Sequence, residues 1–151
     1  MRWALVLLLA GCAASPRIAE FSSDGCSLFP DGDPAGDRAL WCECCAAHDL
    51  AYWQGGTEEE RKQADAALRD CVLARTGNRS LAQAMYRGVR LGGAPVVPTW
   101  YRWGYGWPYG RGYAPLTDAE RRQVDEQLSR VAPERVIARV CAGAGALARR
   151  R

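Results

Sequence analysis

Seven cysteines in a chain of 151 residues constrain the fold of this sequence more than any other feature. Their use depends on the compartment, which the amino terminus indicates. Arg2 makes the start positive, and the apolar run from Ala4 to Ala10 is too short for a transmembrane helix, which needs about 20 residues. A short apolar run after a positive start is typical of an export signal. We therefore expect an oxidising compartment, where cysteines pair as disulfides.

The end of this signal predicts a lipid anchor. Leu9-Ala10-Gly11-Cys12 resembles the bacterial lipobox, after which the cysteine becomes the lipid-modified first residue. We expect residues 1–11 to be a lipoprotein signal peptide, Cys12 to carry the lipid, and residues 12–20 to form a tether. Two or more acyl chains anchor a protein stably, because each buried methylene contributes about 0.8 kcal/mol. The alternative is an ordinary secretory signal followed by release.

Both interpretations export the protein, and the lipobox places it on a membrane of the bacterial cell envelope. Ala13 rather than Asp follows the cysteine, which by resemblance indicates the outer membrane in a cell that has one. A phospholipid membrane is then the expected partner. The net charge of +3 is too small to indicate nucleic acid. Residues 12–70 are acidic in balance and residues 71–151 basic, so we expect a cation in the first half.

Six cysteines remain after the lipidated one, and this even number predicts three disulfides. Their spacing does not determine how they pair. A zinc site is the competing use, but adjacent cysteines point about 100° apart on a helix, and no second pair follows at ligand spacing. The disulfide candidates are Cys26, Cys42, Cys44, Cys45, Cys71 and Cys141. The zinc alternative would use Cys42, Cys44, Cys45 and His48.

Capping residues, Gly and Pro divide the rest of the chain into helices, so the predicted fold is mainly α. Thr57 and Thr117 each stand three residues before a Glu, which is the pattern of a capping box. Gly residues follow the first two helices, and Pro133 suits the first turn of the last one. The predicted helices span about 39–53, 58–75, 80–91, 117–131 and 133–141.

The remaining segments are predicted to be irregular. Residues 21–38 are rich in Gly, Pro and Asp, which favour turns. Residues 92–115 combine Gly and Pro with seven Trp and Tyr. We expect them either to cover the core or to insert into a lipid interface, with a small hairpin possible within 94–113. The predicted organisation is one domain over 21–142 and a frayed basic tail over 143–151.

The first two helices carry the residues with chemistry. At 100° per residue, His48 and Tyr52 share the inward face of the first helix, and Asp49 points away from it. On the second helix, Asp65 lies at the edge of an apolar stripe, where a carboxylate needs a partner. Antiparallel pairing of the helices could give Asp65 a ring N–H from His48, the only histidine. The other ring nitrogen would then be free to act as a general base.

Residues 44–52, Cys-Cys-Ala-Ala-His-Asp-Leu-Ala-Tyr, resemble the active-site helix of the secreted phospholipase A2 superfamily, whose pattern is Cys-Cys-x-x-His-Asp-x-x-Tyr. Asp65 stands six residues before Cys71, as an aspartate does in that family. Asp24-Gly25-Cys26-Ser27 is similar to the segment before this helix in bacterial and fungal members. The resemblance covers about residues 24–73. It implies a phospholipase A2-like fold in which two antiparallel, disulfide-linked helices carry the site.

The resemblance also implies a role for each matching residue. His48 would activate water as the base, Asp65 would orient its ring, and Tyr52 would donate its hydroxyl to that carboxylate. Asp49 would bind calcium. Calcium takes about six to eight oxygens, and the animal-type calcium loop is absent here. Candidates for the other ligands are backbone carbonyls near Gly25, Ser27 and Phe29, or the side chains of Asp31, Asp33 and Asp37.

The implied function is calcium-dependent hydrolysis of the sn-2 ester of glycerophospholipids, by a water that the His/Asp pair activates, in a monomer. The alternative is a non-catalytic envelope lipoprotein that uses the same scaffold to bind lipid or a partner. Family pairing implies the disulfides Cys44–Cys71 and Cys26–Cys45, which leaves Cys42 and Cys141 for each other.

Overall fold

The computed structural model describes residues 16–146, and these form a mainly helical fold without a β-strand. The predicted signal peptide and Cys12 lie outside the described residues. No helix within 16–146 has the length and apolar character needed to cross a bilayer. The helices are α1 (Cys42–Gln54), α2 (Glu58–Thr76), α3 (Arg79–Gly92), α4 (Asp118–Val131) and α5 (Pro133–Ala146).

Capping side chains set the starts of α2 and α4, as the sequence predicts. The hydroxyls of Thr57 and Thr117 accept the backbone N–H groups of Glu60 and Glu120, and each glutamate carboxylate accepts the N–H of its threonine. Gly77 ends α2 in the left-handed conformation, with a φ of 65°, which glycine adopts at little cost. A threonine N-cap such as Thr57 or Thr117 contributes about 1 kcal/mol.

α1 begins at Cys42, three residues after its expected start near residue 39. The Trp41 N–H donates to the carbonyl of Asp31 at 3.1 Å. The Asp37 carboxylate accepts the N–H of Ala39 at 2.9 Å. These bonds hold the chain before α1 in turns, because side-chain and loop acceptors compete with helix formation. The expected start of this helix was therefore wrong.

Three disulfides join α1 to its neighbours. The sequence predicts their number, and the resemblance implies their pairing, so both expectations are confirmed. They leave no free thiol for the zinc alternative, which is therefore wrong. The bonds are Cys26–Cys45 between the preceding loop and α1, Cys42–Cys141 between α1 and α5, and Cys44–Cys71 between α1 and α2.

α1 and α2 are antiparallel neighbours with a three-residue connection, and α3 packs against α2. Leu68 and Val72 of α2, Met85 of α3 and the disulfide sulfurs of α1 fill the space between the three helices. Fully burying one such apolar side chain contributes about 1.5–3 kcal/mol. This packing fixes the rotation of α1 and α2 about their axes, and with it the direction of their polar side chains.

The aromatic segment 93–115 covers the carboxyl end of α1 and contains no helix or strand. Trp103 and Trp107 are each 2 % exposed and donate their indole N–H groups to backbone carbonyls at and just after the end of α1. Gly55 and Gly104 meet closely there, since a Cβ built on Gly55 would lie 2.9 Å from the Gly104 Cα. These two tryptophans thus cover the core, as one of the two expectations for this segment states. Other aromatic side chains of the segment remain exposed.

The amino-terminal boundary of the domain differs from the expected one. Ile18 and Phe21 are buried in a cluster with Trp53. The carbonyl of Ala19 also accepts the Trp53 indole N–H at 2.8 Å. The predicted tether over 12–20 therefore joins the domain before its expected end, since the Ile18 side chain is buried and the Ala19 carbonyl is bonded to α1.

The carboxyl-terminal boundary also differs. α5 continues to Ala146, past its expected end at Cys141. Its last turns are rich in Ala, the best helix former. Residues 143–146 are therefore helical, and the frayed tail predicted from residue 143 was wrong for them.

Candidate active site

His48 and Asp65 face each other across the α1–α2 pair, as their helix faces predict. The His48 Nε2 atom lies 2.8 Å from Asp65 Oδ1, and the Tyr52 hydroxyl donates to the same oxygen at 2.7 Å. Tyr52 follows His48 by one turn of α1, and the two ring centroids are 4.1 Å apart. The Cys44–Cys71 disulfide holds the two helices together near this contact. The predicted contacts among His48, Tyr52 and Asp65 are thus confirmed.

Asp65 is fully buried and surrounded by donors. Arg90 of α3 donates from Nη1 to Asp65 Oδ2 at 2.8 Å, and the Arg61 Nε lies 3.8 Å from the same oxygen. Burial by itself would raise the pKa of this carboxyl, but hydrogen bonds from His48, Arg90 and Tyr52 outweigh it and hold the pKa below its usual range. Asp65 is therefore ionised at neutral pH and presents a negative charge to the imidazole.

Arg61 connects this cluster to the rest of the fold. Its side chain is 2 % exposed, and its Nε donates to the Tyr52 hydroxyl at 2.9 Å. Its Nη2 donates to the carbonyls of Val89 and Arg90, each at 2.9 Å. These carbonyls lie near the carboxyl end of α3, where a positive charge is favourable. Arg61 thus positions α3, and with it Arg90, against the Asp65 carboxylate.

His48 lines an apolar cavity of about 290 Å³, which is bounded by α1, α2, α3 and loop 25–29. Leu68, Met85 and Tyr101 form part of its wall. On the α3 side, a Cβ built on Gly88 would meet nothing within 4 Å. Glycine inside a helix costs about 1 kcal/mol relative to alanine, and no close contact requires it here. The effect of Gly88 is to widen the cavity.

Asp49, the neighbour of His48, is also buried, with 8 % of its surface exposed. Its side-chain partner among the described residues is Ser23, whose hydroxyl donates to Asp49 Oδ2 at 2.6 Å. Burial raises the pKa of Asp49 to about 7 against the effect of this hydrogen bond, and the charges of Asp24 and Asp31 add to the increase. A buried carboxylate without a positive partner is unfavourable, and a bound cation would relieve it.

The loop residues expected to supply ligands line the same cavity as His48 and Asp49. They are Gly25, Ser27 and Phe29. Within the part of the chain that the structure describes, no hydrogen bond reaches the carbonyl oxygens of these three residues. The carbonyl of Cys26, by contrast, closes a turn by accepting the Phe29 N–H at 2.9 Å. The carbonyls of alternate loop residues are therefore available as oxygen ligands.

Gly25 and Asp31 fix the shape of this loop. Gly25 has a φ of 80°, and a Cβ built on it would lie 2.2 Å from the Asp31 carboxylate, so another residue would not fit there. Asp31 Oδ1 accepts the Cys26 N–H at 2.7 Å. Asp33 and Asp37 accept the N–H groups two residues ahead of them, which is the turn-forming use of aspartate. These three side chains thus bond to the loop's own backbone, and the geometry favours the carbonyls as ligands.

The donor set around Asp49 suits a hard cation such as calcium. Calcium takes carboxylate and backbone carbonyl oxygens in a flexible geometry, and this cavity is lined by Asp49 and by the loop residues whose carbonyls accept no hydrogen bond from the described residues. Among residues 16–146, no three His, Cys, Asp or Glu side chains are grouped so that they could hold a metal. Carbonyls would therefore have to supply most of the ligands. The uncompensated charge of buried Asp49 is the feature that fits a divalent cation.

Sequence reasoning missed three partners of the two aspartates. Arg61 stands four residues before Asp65 on α2, and this spacing is itself a signal for a helix ion pair. Arg90 lies 25 residues from Asp65, and Ser23 lies 26 residues from Asp49. No local pattern indicates these two contacts, because only the packing of α3 and of the loop brings the residues together.

Comparisons of this chain with protein-family models, with curated proteins and with solved structures found no match. Any proposal about function therefore depends on the motif around His48 and on the geometry of the site. The resemblance to phospholipase A2 stays a prediction.

Proposed function

We propose that this protein hydrolyses the sn-2 ester of glycerophospholipids in a calcium-dependent reaction. One observation carries the proposal: His48, paired with ionised Asp65, lines an apolar cavity beside Asp49, a buried carboxylate that no described side chain neutralises. The same residues form the motif that resembles the phospholipase A2 active-site helix. A base, a cation site and an apolar cavity are the parts that this hydrolysis needs.

His48 is the proposed base. Its Nε2 is bonded to Asp65, so Nδ1 is the nitrogen left to take a proton from water. Asp65 holds the ring in the tautomer with hydrogen on Nε2 and stabilises the positive charge that develops on it. The water oxygen bonds to the ester carbonyl carbon, the acyl C–O bond breaks, and His48 returns the proton to the departing alkoxide. Tyr52 and Arg90 keep the Asp65 carboxylate in place by donating to its two oxygens.

Asp49 and the carbonyls of the preceding loop are the proposed calcium ligands. When bound, the ion polarises the ester carbonyl and balances the charge of the phosphate. His48 and Asp49 can serve different partners although they are adjacent, because their side chains leave α1 about 100° apart.

The apolar cavity is the proposed site for the acyl chain of the scissile ester. Leu68 and Met85 line this cavity, and each methylene that the cavity removes from water contributes about 0.8 kcal/mol. That binding free energy holds the ester beside His48. The space above Gly88 leaves room for the chain on the α3 side.

The test is the release of fatty acid from phospholipid vesicles by the full-length protein in calcium. His48→Asn should lower the rate by about a hundredfold or more, because general base catalysis contributes about 10²–10⁴-fold. Glu43→Gln is the matched control, since Glu43 is exposed on the same helix and pairs with Arg75 at the surface. This variant should keep the wild-type rate, and a label at the sn-2 position should appear in the released acid.

Two outcomes would count against the proposal. Full turnover by His48→Asn would contradict the mechanism. No release of fatty acid by the wild-type protein, together with retained binding to vesicles, would instead favour a non-catalytic envelope lipoprotein that uses this scaffold to bind lipid.

A further inference from the structure

Asp49 lies in the walls of two cavities. One is the apolar cavity that contains His48, and the other is a second cavity of about 160 Å³. The two share Ser27, Asp49 and Tyr101, so they meet at the proposed cation site. The second cavity contains neither His48 nor Asp65 and has no part in the chemistry of the base. Its other walls are Ser22, Ser23, Asp24, Trp100 and Tyr105.

Three aromatic rings line this second cavity. Trp100 and Tyr101 form a corner, with ring centroids 5.1 Å apart and planes at 84°. The Tyr105 hydroxyl donates to the Ser22 carbonyl at 2.5 Å, which fixes the third ring. Trp100 is 63 % exposed, yet its indole N–H is held by the Asp24 carboxylate at 3.2 Å. Aromatic faces attract cations, and aromatic cages are a known form of site for quaternary ammonium groups.

Two carboxylates give this cavity a negative charge. Asp24 and Asp49 accept hydrogen bonds from hydroxyl and indole donors, all of them neutral. Within residues 16–146 neither carboxylate forms an ion pair. Burial, and then the charges of Asp49 and Asp24, raise the pKa of the Tyr105 hydroxyl. The described lining of the cavity is therefore aromatic and anionic, and none of it is basic.

We propose that the second cavity binds the ammonium group of a phospholipid head group, so that the preferred substrates carry choline or ethanolamine. This inference rests on the proposed hydrolase function. In such a lipid the phosphate stands between the ammonium group and the acyl esters. The shared wall of Ser27, Asp49 and Tyr101 stands between the two cavities in the same order. A head group without a positive charge gains nothing from the aromatic corner and meets the Asp24 carboxylate, which the proposed calcium site does not use.

The first experiment compares initial rates on vesicles of phosphatidylcholine and of phosphatidylglycerol at one calcium concentration. Trp100→Leu should lower the ratio of the two rates at least about threefold, because it removes one face of the cation site. Tyr109→Leu is the matched control. Tyr109 belongs to the same segment and is 61 % exposed, but its hydroxyl bonds to the Val96 carbonyl and its ring does not line the cavity. Ratios that are equal in the wild type and Trp100→Leu would overturn the inference.

The second experiment does not depend on hydrolysis. Tetramethylammonium is titrated into the full-length His48→Asn protein and followed by calorimetry. Saturable binding is expected, weakened at least about threefold by adding either Trp100→Leu or Asp24→Asn and unchanged by adding Tyr109→Leu. Absence of saturable binding, or binding that Trp100→Leu and Asp24→Asn leave unchanged, would overturn the inference. If the expected binding is found but the wild-type protein releases no fatty acid, the ammonium site is supported while the proposed function fails.

Discussion

Asp65 and Asp49 are two buried aspartates of one site, and the described side chains neutralise only the first. Asp65 lies between α1, α2 and α3, where His48, Tyr52 and Arg90 donate to it. Asp49 lies beneath an irregular loop, where the Ser23 hydroxyl donates to it. Despite burial, these hydrogen bonds hold the pKa of Asp65 below its ordinary value, whereas burial raises the pKa of Asp49 to about 7.

The comparison shows that burial alone does not decide the charge of an aspartate. Three packed helices can bring cationic and hydroxyl donors to one carboxylate, and charge-assisted hydrogen bonds then offset its desolvation. A loop with free carbonyl oxygens adds further acceptors instead. Asp65 and its partners form the helical half of the site, in which the described side chains neutralise the carboxylate. Asp49 and the loop over it form the loop half, in which, on our proposal, a cation from solution neutralises the carboxylate.

The largest expected effect on stability comes from Asp65→Asn. This substitution keeps the shape of the side chain but leaves Arg61, which is 2 % exposed, without a buried anion. Removing one partner of a buried ion pair costs about 3–5 kcal/mol, and urea unfolding should show a loss of this size. Asp70→Asn on the same helix is the control, because Asp70 pairs with Arg69 at the surface and should change little. Equal losses in the two variants would contradict the role of Asp65 as a buried anion that pairs with Arg61.

A smaller effect that depends on pH is expected from Asp49→Asn. The pKa of Asp49 is raised from 3.8 to about 7, so its contribution to stability is present below about pH 4 and is lost as the pH rises through 7. Without calcium, the unfolding free energy of the wild type should therefore fall relative to that of Asp49→Asn between these pH values. The fall is at most about 1.4 kcal/mol for each pH unit in this range. Parallel stability curves for the two proteins would show that Asp49 is neutralised in some other way.

The smallest expected effect comes from Ser23→Ala. It removes the one hydroxyl that donates to Asp49 and should cost about 1 kcal/mol. Because this bond lowers the pKa of Asp49, its loss should raise that pKa further, which an NMR titration of the carboxyl would measure. Ser129→Ala, in an exposed part of α4, removes a bond to the Glu126 carbonyl and is the matched control. An unchanged Asp49 titration in Ser23→Ala would contradict the assigned role of Ser23.

The helical half of the site was predictable because its signals are local and periodic. His48 and Tyr52 fall on one face of α1 at 3.6 residues per turn, and Asp65 borders the apolar stripe of the helix that follows. Thr57 marks the start of that helix through its capping box. The start of α1 was the exception, since the Asp31 carbonyl takes the Trp41 N–H and delays the helix.

The loop half was not predictable in the same way, because its contacts join residues far apart in the chain. The Trp100 indole reaches the Asp24 carboxylate across 76 residues. Trp53 lies 34 residues from Ala19, to whose carbonyl it donates. No periodic pattern in the sequence indicates either contact, and both depend on how the aromatic segment folds over the end of α1. Asp31 shows the same limit, since composition indicates a turn but not which backbone group it holds.

We propose that calcium at Asp49 and the base His48 act together, and a calcium titration of the wild-type protein is the decisive test. Release of fatty acid from phosphatidylcholine vesicles would be recorded for the full-length protein from zero calcium, set by a chelator, to saturation. We expect negligible release in the chelator and a saturable rise with calcium, and we expect this rise to be absent in both Asp49→Asn and His48→Asn. Release at the same rate with and without calcium, or no release by the wild type at any calcium concentration, would contradict it.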